Sequence, residues 1–142
     1  MKIEEQVLSI EQMKHLQELG VDTSDASMAY YNISRDNQPD KWILGIANIK
    51  VASVMLSNGI TEMEPTYTIG DLIEKLPKII GDYRLLIDWD SEIVYYQDWS
   101  GEKVLDHIGE YSFTDRPIID ALYDCLCWVA ENHKELLEVK ND

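Results

Sequence analysis

Hydrophobic residues along this chain change their period several times, and each change marks an element. Ile10, Met13, Leu16 and Leu19 recur at helical spacing behind Ser9, with Gln12 three positions on as in a capping box. Gly20 follows where a left-handed stop belongs, and Val21 where an apolar residue packs back on the last turn, so the pattern predicts a helix over 10–19. MAYYNIS at 28–34 is aromatic and β-favouring, which predicts a strand. WILGIANIKVASVML at 42–56 is apolar almost throughout. Gly45, the β-branched residues and the Asn58-Gly59 turn downstream favour strand there. That Asn-Gly pair predicts a hairpin between a strand ending near Leu56 and one running through 60–67.

Thr68 then fits the cap of a second helix, with Asp71 at its third position, Leu72, Ile73 and Leu76 facing inward and Pro77 at its end. RLLIDW and EIVYYQDW read as two strands meeting around Asp90-Ser91, and GEKVLDHIG as a short further strand. Thr114 or Asp115 is the expected cap of a last helix, with Pro117 just inside it. Asp120, Asp124, Cys127, Glu131 and Glu138 fall within about 40° of one another at helical pitch. Ile118, Ile119, Leu122, Cys125, Leu126, Val129, Leu136 and Leu137 cover the opposite arc, so this helix is the one expected to lie deepest. Helices and strands follow without a βαβ rhythm. The order predicts a single α+β domain over 1–142, a mainly antiparallel sheet packed against about three helices.

Charge adds to this picture. The formal net charge is −15, and from residue 81 onward 15 acids face 5 bases. Such a field repels phosphate backbones and anionic membranes, so direct nucleic-acid or membrane binding is disfavoured, while a basic partner is attracted. The N-terminal MKIEEQVLSIEQMK carries acids where a signal peptide would carry an apolar core, and no apolar run is long enough for a membrane span. A cytoplasmic location is expected. Cys125 and Cys127, two apart on a helix, point to different sides and form no mutual disulfide.

Candidate chemistry centres on Asp88-Trp89-Asp90-Ser91-Glu92, where three carboxylates alternate. As a calcium loop it fails: Ile93 stands where glycine is required, and Trp99 where the bidentate glutamate belongs. As a catalytic pair, Asp88 and Asp90 would share a strand face, with Asp106-His107 as a second half. The competing reading is a solvated hairpin tip, since Asp and Ser favour turns. His15, His107 and His133 are scattered, and no serine elbow, phosphate loop or zinc pattern is present, so no cofactor is expected. Trp89, Tyr95, Tyr96 and Trp99 crowd the same segment, and aromatic side chains anchor interfaces. Asp88, Trp89, Asp90, Glu92, Tyr95, Tyr96, Asp98 and Trp99 are thus the candidate interaction surface.

Three stretches carry a resemblance: Leu19-Gly20-Val21, Thr68 through Leu76-Pro77, and Cys127-Trp128 within IIDALYDCLCWVAEN. Together they resemble a set of uncharacterised small proteins of bacterial mobile elements and prophages, which share these helix boundaries in this order and have no established activity. Three function classes follow. The first is a non-enzymatic accessory protein that binds another protein, basic or nucleic-acid-binding, with DNA mimicry as a narrower version. The second is a small hydrolase or metal-binding enzyme using Asp88, Asp90, Asp106 and His107. The third is a homo-oligomeric structural subunit, in which the apolar run at 42–56 is covered by a second copy.

Overall fold

A computed structural model describes residues 3–32, 41–47, 62–105 and 117–138. The expected Asn58-Gly59 hairpin, residues 48–56 of the apolar run at 42–56, Asp106-His107 and the Thr114 or Asp115 cap lie outside the described residues. The architecture is α+β. Among the described residues three helices, α1 (Ile10–Glu18), α2 (Ile69–Lys75) and α3 (Ile118–Asn132), accompany two antiparallel sheets of three strands each. The first sheet is ordered β2-β1-β3, with β1 Met28–Asn32, β2 Trp42–Ile46 and β3 Glu62–Thr66. The second is ordered β4-β5-β6, with β4 Ile79–Ile80, β5 Tyr83–Asp88 and β6 Ile93–Asp98.

Helix α1 starts as its residues dictate. The Ser9 hydroxyl accepts from Gln12 N at 3.1 Å while Gln12 Oε1 accepts from Ser9 N at 2.9 Å, satisfying two otherwise orphan amides. Gln12 Nε2 also donates to Asp120 Oδ1 at 3.1 Å, which ties the start of α1 to the start of α3. At the other end Gly20 takes φ +88° and Val21 N donates to Leu16 O, closing the helix with buried Val21 against it. Helix α2 repeats the capping logic with Thr68 and Asp71. Its last turn stops at Leu76, which is extended at ψ 134° because the following Pro77 disfavours helical geometry.

Helix α3 departs from expectation at both ends. Pro117 is its N-cap, extended at φ −60° and ψ 152°, rather than a first-turn residue, and makes no side-chain cap. Its carbonyl accepts from Asp120 N and Ala121 N, and Asp120 sits where the helix dipole favours an anion. The helix ends at Asn132, since His133 at φ −140° turns the chain into a 3-10 turn over Lys134–Leu137. Leu136 and Glu138 therefore leave the arcs predicted for them, and Leu136 is exposed.

Ile118, Ile119, Leu122, Cys125, Leu126 and Val129 of α3 are buried as their periodicity requires. They meet Met13 and Leu16 of α1, Leu72 of α2 and Leu76 just past it, and Val94 and Tyr96 of β6 in one core. The C-terminal helix thus packs against α1, α2 and the inner face of the second sheet. In the first sheet, Gly45 lies opposite Ala29, and a Cβ there would meet the neighbouring Tyr31 ring at 3.1 Å, so glycine leaves room for that buried phenol. No described helix is long and apolar enough to cross a membrane.

Candidate functional site

The β5–β6 ladder pairs Asp88 with Ile93, so Trp89–Glu92 form a four-residue hairpin loop. Asp88 Oδ1 accepts from Asp90 N at 3.1 Å and Ser91 N at 3.2 Å, and Glu92 closes the loop at φ 56°. Asp88 and Asp90 are exposed, and Asp88's oxygen serves the turn rather than a partner carboxylate. His107, required by the hydrolase reading, lies outside the described residues. Among the described residues no three His, Cys, Asp or Glu side chains converge as metal ligands.

Strand alternation sorts the aromatics. Leu85 pairs with Tyr96 and Ile87 with Val94 on the face that meets α3. Tyr96 is fully buried there, and its hydroxyl donates to Pro77 O at 2.7 Å. It therefore leaves the candidate interaction surface. Burial pushes its pKa up, so the phenol stays a donor. Tyr95 points the other way, paired with Leu86. Trp89 and Trp99 are 55% and 63% exposed, high for side chains of that size.

On this outward face Ile79, Arg84, Gln97 and Val104 form one cross-strand row, with Leu86–Tyr95 and Asp88–Ile93 beside it. Ile79 and Val104 are more than half exposed. The Trp99 ring lies 5.0 Å from the Arg84 guanidinium carbon, a cation–π contact that places the indole over the same face. Arg84 Nε is buried and has no hydrogen-bond partner among the described residues. Acids stand at both ends: Asp88, Asp90 and Glu92 at the hairpin, Asp82, Asp98 and Glu102 at the opposite end. Asp98 has a local task, accepting from Glu102 N, Lys103 N and the Ser100 hydroxyl, with the Lys103 amide the largest cause of its lowered pKa.

A second grouping was not visible in the sequence. Tyr67, the residue after β3, donates to Asp25 Oδ1 at 2.6 Å and lies 2.9 Å from Asp22 O. Lys75 of α2 donates to the other Asp25 oxygen at 2.9 Å and to Asp22 O at 3.0 Å, its side chain only 7% exposed. These groups border a cavity of about 330 Å³ that Asp71, Glu74 and Glu138 also line. Burial and the Asp25 carboxylate hold the Tyr67 phenol protonated. The cluster contains neither an imidazole nor a nucleophile poised by a base; it latches the 22–27 loop onto β3 and α2. Its members span more than forty positions, so only helix and strand placement would have revealed it.

No family model matches this chain, and neither a curated protein nor a solved structure does.

Proposed function

We propose that this chain is a non-enzymatic, cytoplasmic accessory protein that works by binding another protein through the outward face of its second sheet. The observation that carries the reading is the pair of exposed indoles, Trp89 and Trp99, flanking a sheet face whose row ends are open and whose surroundings are acidic. Large exposed aromatic surface is energetically useful when a partner desolvates it. Acids at both ends select for a partner with basic surface and speed its approach. The mobile-element resemblance supports an accessory role, and a nucleic-acid-binding protein, whose surface is basic, is the natural class of partner.

The test is crosslinking from benzoylphenylalanine placed at Val104 in cells that make the protein, with identification of the adduct. The expected result is a defined protein that binds the purified chain and binds it about tenfold or more weakly after Trp99→Ala. No adduct, or binding indifferent to both Trp99→Ala and Trp89→Ala, overturns the reading.

A further inference from the structure

We infer that the occupant of this face is an amphipathic helix with basic residues at both ends, lying across the outer side of the second sheet; this rests on the protein-binding reading above. Three observations converge. The first is edge geometry. Strand addition needs a free edge of several residues, but β4 offers two, and β6 is already bridged at Gln97 by Val104, with Leu105 N donating to Tyr96 O. The stretches of edge left unpaired among the described residues, at 93–95 of β6 and past β4 on β5, are short, so the face offers a partner the larger surface.

The second is the face itself. Its inner side is covered by α3, whose aliphatic arc packs on Val94 and Tyr96. The outer side presents Ile79, Leu86, Ile93, Tyr95 and Val104 in the same pleated geometry with no described element on it. A second helix there would repeat the inner packing and complete a three-layer arrangement.

The third is charge. The acids of the hairpin and those of the opposite end are separated by the length of β5, five steps or about 17 Å. A helix spans that distance in about eleven residues, so basic groups three turns apart would meet both ends while aliphatic residues between them cover the face. Trp99, stacked on Arg84 and still 63% exposed, adds an aromatic contact surface at one acidic end of this face. A second copy of this chain, at a net charge of −15, brings like charge against like.

Two synthetic peptides of about five turns test this, with one shared aliphatic stripe and either lysines or glutamates at both ends. They are titrated into the full isotopically labelled chain. The lysine peptide is expected to shift the amides of Arg84, Leu86, Tyr95, Gln97 and Val104, and to become helical on binding. It should bind about tenfold or more tightly than the glutamate peptide, and weaken as much with Trp99→Ala or Val104→Glu. Both substitutions are at exposed positions, and the unshifted remainder of the spectrum reports that each variant is folded. Equal binding of the glutamate peptide, shifts confined to other elements, a bound peptide that stays extended, or peptide-free dimerisation through these residues would each overturn the inference. If the peptides fail while a protein crosslinked at Val104 still binds this face, the helix falls and the protein-binding reading stands; if neither binds, both fall.

Discussion

Single residues show how few polar atoms in the described core are left to chance. Tyr67 is almost fully buried, yet its hydroxyl reaches Asp25 and Asp22, and Lys75 reaches the same two acceptors from the other side. Removing the hydroxyl by Tyr67→Phe keeps the ring packed and deletes one donor, so urea unfolding should show a loss of about 1–2 kcal/mol. Asp98 illustrates the surface counterpart. Backbone amides favour its charged form, so its folded pKa lies below the ordinary value of about 3.9. A depressed carboxylate contributes its stabilisation above the unfolded value and loses it as pH falls through the folded one. The amide shifts of Glu102 and Lys103 should therefore titrate with a midpoint below about 3.9, and Asp98→Asn should abolish that titration. The Tyr67 latch was illegible in the sequence because its members come from a loop, a strand end and a helix that only tertiary structure brings together. The separation of Tyr95 from Tyr96 was legible in principle, since neighbours in a strand face opposite ways.

Elements were easiest to read where local chemistry fixes them. Both capping boxes, the Gly20-Val21 stop and the end of α2 before Pro77 follow from side chains within four positions of one another. Deleting the α2 cap by Thr68→Ala should lower thermal stability by about 1 kcal/mol, measured by denaturant melting, because Asp71 N loses its acceptor. Elements were hardest to read where a boundary depends on distant packing. The length of α3 was overestimated because its apolar period continues past His133, while the backbone has already turned away. Strand order in the first sheet was equally hidden, as β1 takes β3 as a neighbour from thirty positions on. Within α3, burial pushes the Cys127 thiol up to about 11, and raises that of the more deeply buried Cys125 as well. Neither should react appreciably with a disulfide reagent at pH 8 in the folded protein, and both should react once it is unfolded.

In the molecule as a whole, the two faces of the second sheet have different surroundings. The inner face of the second sheet belongs to a core shared with α1, α2 and α3, while the outer face carries the Trp99 indole and aliphatic row ends, with Trp89 and carboxylates at the ends of the sheet. The α+β class and the deep placement of α3 were legible from hydrophobic period alone, because burying one stripe per helix leaves few arrangements. Which side of the hairpin faces outward was not legible, since it depends on where α3 docks. The hairpin loop adds a further consequence. Glu92 holds a left-handed backbone that glycine adopts with less strain, at a position beside the face assigned to binding. Glu92→Gly should raise the melting temperature, by relief of about 1 kcal/mol, while weakening capture of the lysine-ended peptide at low salt. Rigidity and recognition would then move in opposite directions on one substitution, marking a point where this fold forgoes some durability to keep a negative charge at its rim.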